Sequence, residues 1–258
     1  MIGAEGCTMN DDFFTRRLID LADQADRTCR YTFTDFLTEA ETAQFQAIRS
    51  QLPHCGTALW GGHPDADRVM LRFGDPEQLG YEEPFPLTAL YIAPVQEKFA
   101  DSLTHRDILG AVMHLGIVRS AVGDILIDGK CAYLFVKEDL AEYLCRELTR
   151  IRHTTVTCTV AEQLPAAAEQ KTEEITVQAA SERIDAVAAK VYHLSRSECL
   201  ELLRLEHIAV GGAPVTKSSY TLRAGDKVSV RGHGKFRYLG QSGTTRKGNL
   251  LLRCEKFV

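Results

Sequence analysis

Between Leu87 and Val160 the chain alternates strand and helix signals in an order that few folds accommodate. LTALYIAPV (Leu87 to Val95) reads as a strand, and the apolar spacing from Thr104 to Leu115 as a helix. Two alternating runs, Val122 to Asp128 and Lys130 to Val136, flank the pair Asp128-Gly129. An Asp-Gly pair between alternating apolar runs is a strong hairpin signal, because glycine takes a positive φ at no steric cost. A helix over Lys137 to Ile151 and a strand over Thr154 to Val160 close the series. The resulting β-α-β-β-α-β order predicts a split βαβ, or ferredoxin-like, domain.

The flanking segments read differently. Residues 10–52 carry helical spacing at Phe13, Phe14, Leu18, Ile19 and Leu21. Thr38 followed by Glu41 predicts a capping box for a helix running through Phe45 and Ile48 and ending before Pro53. A loop, HCGTALWGGHPDAD, follows, with Trp60 expected as a packed loop aromatic. The strand VMLRF is expected to open the next domain. Residues 163–174 (QLPAAAEQKTEE) have no large apolar residue after Leu164 and read as a linker. Beyond them, Ile184, Val187, Ala188 and Val191 form the apolar stripe of one helix. Ser195 and Glu198 cap a second helix, expected to bury Cys199, Leu200, Leu202, Leu203 and Leu205. The alternating segments KVSVRG and KFRYL follow. The expected organisation is α+β: an N-terminal helical segment (1–65), a ferredoxin-like domain (66–162), a linker (163–174) and a small C-terminal domain (175–258).

Charge sets the C-terminal part aside. The whole chain has a formal charge of −5. Residues 181–258 hold 14 Lys and Arg against 7 Asp and Glu, a balance of +7, which leaves −12 on the first 180 residues. A basic module on an acidic chain points to a polyanionic partner. No apolar run reaches the roughly 18 residues of a membrane span, and MIGAEGCTMNDDFF lacks the basic start and apolar stretch of a secretion signal. The eight cysteines form no C-x-x-C pair and have no zinc-finger histidine spacing, so reduced structural thiols in a cytoplasmic protein are expected, with no metal and no cofactor.

No catalytic residue is singled out. His105-Arg106-Asp107 echoes the catalytic loop of protein kinases, but Val112 stands where that loop needs Asn, and Thr104 with Asp107 reads as a helix cap. Neither Gly-x-Ser-x-Gly nor His-Glu-x-x-His occurs.

Several stretches carry a family resemblance. Arg183-Ile184-Asp185, Ser195-Arg196-Ser197, HIAVGGAPV and Ala224-Gly225-Asp226-Lys227-Val228 resemble the S4 RNA-binding domain, with Gly211-Gly212 where that pattern often has Asn-Gly. YTFTDFLTEAE, GGHPDADRVMLRF, HRDILGAVMHLGIVRSAVGDI and RGHGKFRYLGQSGTTRKG resemble the YlmH family over nearly the whole chain. LYIAPV and GKCAYLFV resemble the paired RNA-binding strands of RRM domains, where Tyr91 and Tyr133 would stack bases, although aromatic strand residues more often belong to a core.

The YlmH resemblance implies a cytoplasmic bacterial protein that binds rRNA of the large ribosomal subunit and tRNA. It implies work in ribosome-associated quality control beside a dedicated tRNA-recruiting factor; separately, a monomer without membrane attachment is expected. Clustered cations bind phosphates without base readout, so the candidate RNA-binding residues are Arg183, Lys190, Arg196, Ser197, Lys217, Arg231, Lys235, Arg237, Arg246 and Lys247. Arg183 has a rival role, pairing with Asp185 or Glu182 to hold the helix start. The leading expectation is a non-catalytic RNA-binding factor. An RNA-modifying enzyme delivered by its S4 domain is the alternative, and a protein-interaction adaptor is the third reading.

Overall fold

The computed structural model describes residues 5–53, 55–162, 172–245 and 248–257. They fall into two compact units, Met1–Glu169 and Gln170–Val258.

The first unit begins with α1 (Glu5–Thr28), β1 (Thr32–Phe33), α2 (Glu39–Ile48), β2 (Thr57–Trp60), β3 (Met70–Phe73) and α3 (Pro76–Leu79). It continues through β4 (Leu87–Pro94), α4 (His105–His114), β5 (Val122–Asp128), β6 (Cys131–Lys137), α5 (Ala141–Glu147), β7 (Arg150–Ile151) and β8 (Thr154–Val160). The capping boxes at Thr38/Glu41 and Thr104/Asp107 are both formed.

Two antiparallel sheets result, in the orders β1-β3-β2 and β5-β6-β4-β8-β7. The strand from VMLRF, expected to open the second domain, pairs instead with β1 and β2. The N-terminal segment is therefore helical only in part, and Trp60 ends a strand with its side chain exposed rather than packed in a loop. The β5–β6 turn also sits one residue later than expected. Asp128 still pairs with Cys131, and Gly129, at φ 61°, takes the first turn position.

One face of the five-stranded sheet carries Leu90, Ile92, Ala132, Leu134, Val136, Val156 and Cys158 against Ile108 and Val112 of α4 and Ala141 and Leu144 of α5. A second core joins Leu18 and Ala22 of α1 and Phe45 of α2 to Leu71 and Phe73 of β3. Met70 points the other way along β3 and meets Phe36 and Phe135. The small sheet thus covers one end of the face that α4 and α5 leave open.

GGHPDADR is the clasp between these two parts. A Cβ at Gly62 would overlap the Phe135 ring. Asp124 Oδ2 accepts from the Asp67 amide at 2.7 Å and lies 3.1 Å from His63 Nε2, while Oδ1 accepts from the Arg68 amide at 3.2 Å. Arg68 donates Nε–H to the Val122 carbonyl at 2.8 Å and Nη2 to the Phe36 and Arg119 carbonyls. Burial and the neighbouring Arg68 push the Arg119 guanidinium down to about 10, and Asp124 works against that fall.

The second unit runs β9 (Thr172–Ala179), α6 (Ile184–Val191), α7 (Arg196–Arg204), β10 (Ile208–Val210), β11 (Ala213–Pro214), β12 (Lys227–Val230), β13 (Gly234–Thr244) and β14 (Leu250–Phe257). They form one antiparallel sheet in the order β11-β10-β12-β13-β14-β9. β9 starts inside the stretch read as linker, since Thr172 through Ala179 pair in register with Phe257 through Leu250. Residues 163–171 of that stretch lie outside the described residues.

Alternation divides the sheet cleanly. Val228, Val230, Phe236, Tyr238, Leu252 and Cys254 face α6 and α7 and pack on Ile184, Val187, Val191, Cys199 and Leu203. Gly211 and Gly212, at φ 54° and 78°, close the β10–β11 hairpin, a turn that asks for positive φ at both positions. α7 buries less than expected: Leu200 and Leu205 are 44% and 45% exposed. The helix buries Cys199 and Leu203 and packs Leu202 partly against the same core, while Leu200 and Leu205 sit on the flank.

Candidate nucleic-acid interface

The start of α6 and the start of α7 meet at one buried carboxylate. Asp185 is fully buried in the first turn of α6. Arg183 grips it with two parallel bonds, Nε to Oδ1 at 3.0 Å and Nη2 to Oδ2 at 3.1 Å, and Nη2 also donates to Ser218 Oγ at 3.3 Å. Arg196, the first residue of α7, donates Nε–H to Asp185 Oδ2 at 3.4 Å. Two guanidiniums around one carboxylate leave a net positive charge. The positive end of the α6 dipole further favours an anion at Asp185.

The two arginines remain outward-facing. Their side chains are 36% and 69% exposed, while Asp185 is closed to solvent. A guanidinium has five N–H donors in a rigid fork. Among the described residues, neither Nη1 of Arg183 nor either Nη of Arg196 is engaged in a protein hydrogen bond. The rival role foreseen for Arg183, pairing with Asp185, and its candidate RNA-binding role are thus compatible: Asp185 holds the stem side of the fork and leaves its outer edge open.

The second helix start is built locally. Ser195 Oγ accepts from the Glu198 amide at 3.2 Å, and Glu198 Oε2 accepts from the Ser195 amide at 2.7 Å. Bonding to the Ser195 side chain and then to its amide holds the Glu198 carboxyl below its usual range. Ser195 is therefore occupied as a cap. Ser197 is exposed, with its Oγ 3.0 Å from Ser195 Oγ. Replacing Ser195 with Ala removes half of this box and is expected to lower stability by about 1 kcal/mol, read as a lower urea midpoint at unchanged slope. An unshifted midpoint would show that the box contributes nothing.

The other candidates divide between two faces. Lys217 is exposed in the segment that supplies Ser218 to Arg183 and pairs with the start of α6 through the Ile184 amide and Tyr220 carbonyl. Lys190 is exposed in the last turn of α6. Arg231 is exposed after β12, with Nη1 3.4 Å from His207 Nε2.

Lys235 and Arg237 alternate with the buried Phe236 and Tyr238, so they lie on the sheet face turned away from α6 and α7. Arg237 donates Nη1 to Glu255 at 2.8 Å and lies 5.6 Å over the Phe257 ring, with Lys227 at 5.8 Å from the same ring. Arg246 and Lys247 lie outside the described residues. Arg183, Arg196 and the Lys217 segment come together; Lys235 and Arg237 stand across the sheet from them.

Sequence reading missed Asp185 as the organiser. An acid two residues after an arginine looks like an ordinary helix-start residue, and only its burial shows that it serves both helices. Among the described residues no group of three or more His, Cys, Asp or Glu side chains is placed to hold a metal ion. No helix of the described residues is long and apolar enough to cross a membrane.

The sequence matches three family descriptions. Residues 10–78 match "YlmH, N-terminal", residues 81–164 match "Putative RNA-binding domain in YlmH", and residues 182–228 match "S4 domain". The Ribosome-associated protein quality control protein P2 of Bacillus subtilis (strain 168) is 30% identical over 232 residues, which span 88% of each chain. A solved structure titled Cell division protein ylmH from Streptococcus pneumoniae is 19% identical, with a TM-score of 0.48, and the match covers 62% of this chain and 94% of that one.

Proposed function

The chain belongs to the YlmH family, and from that premise we propose that it is a non-catalytic RNA-binding factor that docks on the large ribosomal subunit. Its contacts there are rRNA and tRNA, and its setting is ribosome-associated quality control in the bacterial cytoplasm. It acts as a monomer beside the factor that recruits tRNA. The name of its B. subtilis relative supports the setting.

The observation that carries the contact is the pair Arg183 and Arg196 on buried Asp185. Phosphates along a folded RNA are fixed points, and a fork already oriented by a buried carboxylate loses little rotamer freedom on meeting them. Lys217, Ser197, Lys190 and Arg231 extend the contact around the helix starts. Lys235, Arg237, Arg246 and Lys247 form a secondary set. We read the first unit as an N-terminal part followed by a ferredoxin-like domain, joined by a linker to the S4 domain. The β5-β6-β4-β8 order with α4 and α5 on one face supports the ferredoxin-like assignment.

Co-sedimentation with large ribosomal subunits across a salt series tests the proposal. Each neutralised phosphate steepens the fall of log affinity with log salt by about 0.7–0.9. The wild type should therefore lose binding steeply, and a flat profile would rule out phosphate docking. Reversing Lys235 and Arg237 to Glu should weaken binding less than reversing the helix-side pair; the opposite ranking would move the main contact to the sheet face. Mass analysis of rRNA and tRNA from a deletion strain should show every modification intact, since a missing one would replace this reading with an RNA-modifying enzyme.

A further inference from the structure

A sheet edge is a row of unpaired backbone donors and acceptors, and proteins guard it with charge, proline, a bulge or a covering element. Among the described residues, five of the six edge strands are guarded in one of these ways. β9 carries Glu173 and Glu174, β11 contains Pro214 and β7 contains Arg150. β5 has an irregular register, and its Val122 and Gly123 carbonyls accept from Arg68 and Arg119. β1 lies against α1, where Thr32 Oγ1 donates to the Leu21 carbonyl. β2, Thr57-Ala58-Leu59-Trp60, has none of these guards and pairs with β3 in unbroken register.

The phase of that pairing decides which groups are free. The Thr34 amide donates to the Leu71 carbonyl, so Leu71 turns toward β1; the Gly74 amide donates to the Gly56 carbonyl, so Gly74 turns toward β2. Along an antiparallel strand this direction alternates residue by residue. Met70 and Arg72 therefore bond their partners Trp60 and Ala58, while Thr57 and Leu59 aim N–H and C=O away from the sheet. Among the described residues no backbone group meets them there. Trp60 is 40% exposed, on the face opposite Leu59, which packs on the second core.

Acidic residues rim this edge. A Cβ at Gly56, the residue before β2, would lie 2.8 Å from the Asp75 Cβ. Residues 74–83 hold four acids and no Lys or Arg. One of the four, Glu82, pairs with Arg72, directly opposite Ala58. Burial pushes the Cys55 thiol up, and Asp26 and Asp23 of α1 add to the rise, so both carboxylates stand near the entrance to the strand. Two copies of the chain meeting at this edge would bring two acidic rims together. A strand with positive side chains avoids that conflict, and its cations gain the Trp60 ring as a second partner.

We propose that β2 accepts an extended, Lys- or Arg-rich segment of a partner protein as an added strand. Thr57 and Leu59 supply the backbone bonds, and Trp60 with the acidic rim selects for cations. Strand addition takes its affinity from main-chain bonds and its specificity from the side chains that flank them. The surface lies in the first unit and uses neither arginine of the RNA contact, so the two readings stand or fall separately.

The probe is a labelled octapeptide alternating Lys with Val and Thr, titrated against the full chain by fluorescence anisotropy at about physiological salt. The same peptide N-methylated at every residue keeps the charges but has no backbone donor, and it should bind at least about tenfold more weakly. Trp60 is the only tryptophan of the chain, so its emission should shift as the unmodified peptide binds. Amide exchange should slow at Thr57 and Leu59 and change little at Ala58 and Trp60. W60K, at an exposed position, should keep the wild-type urea midpoint and weaken peptide binding about tenfold. Equal binding of the two peptides would reduce the contact to charge alone and overturn the added strand. No binding of the unmodified peptide, or unslowed exchange at Thr57 and Leu59, would do the same. Sedimentation showing a dimer that W60K disrupts would assign the edge to a second copy and overturn the cationic partner.

Discussion

Reversing Arg183 and Arg196 together to Glu should remove large-subunit co-sedimentation at about physiological salt. The double change alters the contact by four unit charges. At contact distance in a water-like dielectric, one unit charge against a phosphate is worth about 1 kcal/mol. The expected loss is about 3–4 kcal/mol, a hundredfold to a thousandfold in affinity. The obvious objection is folding, because new carboxylates beside buried Asp185 would repel it. R183Q/R196Q answers that objection. Glutamine adds no negative charge and can still donate to Asp185, but it leaves that buried carboxylate without a cation. The double glutamine variant should therefore be less stable than wild type and more stable than the double glutamate, and its binding is compared where circular dichroism shows it folded. Its affinity should fall less, and the salt slope should drop by about 1.4–1.8 for two lost phosphate contacts. Wild-type binding by a folded R183Q/R196Q protein would show that the arginines only brace the helix starts.

The features legible in the sequence are those in which the cause lies close along the chain. The capping boxes at Thr38, Thr104 and Ser195 each need four residues, and all three form as expected. The strand and helix order from Leu87 to Val160 is likewise carried by local periodicity. The departures involve partners far apart in sequence. VMLRF has the composition of a strand for any sheet, and its pairing with β1 and β2 is decided by Phe36 and Phe135 meeting Met70. β9 looks too polar to be a strand, with Glu173 and Glu174, but it lies at a sheet edge where β14 supplies a partner some 75 residues on.

The site follows the same rule. Arg183 and Arg196 were visible as cations, but Asp185 looked like any first-turn acid until its burial placed it under both. Lys235 and Arg237 belonged to the same basic stretch as the helix-side cations. Alternation along β13, with Phe236 and Tyr238 facing the helices, places them on the other side.

Asp124 carries the second large expected effect, and it concerns the first unit alone. Asp124→Ala should destabilise that unit by about 3–5 kcal/mol. The carboxylate is the shared acceptor for the Asp67 and Arg68 amides and the near neighbour of His63 Nε2. Truncation leaves buried donors without an acceptor, and each such group costs about 1–3 kcal/mol. It also removes a carboxylate that favours both the Arg68 and the Arg119 cation against burial, leaving Glu41 to favour Arg68. The individual costs do not add, because the loop can open and let water reach the amides. Asp124→Asn should cost less, as its carbonyl still accepts one bond. The readouts are the urea midpoint of the first unit and amide exchange at Asp67 and Arg68, which should accelerate together. Ribosome binding through Arg183 and Arg196 should persist wherever the second unit stays folded. A shift below about 1 kcal/mol with exchange unchanged would mean that Phe135 and Met70 packing alone holds the clasp, with His63, Arg68 and Asp124 only following it.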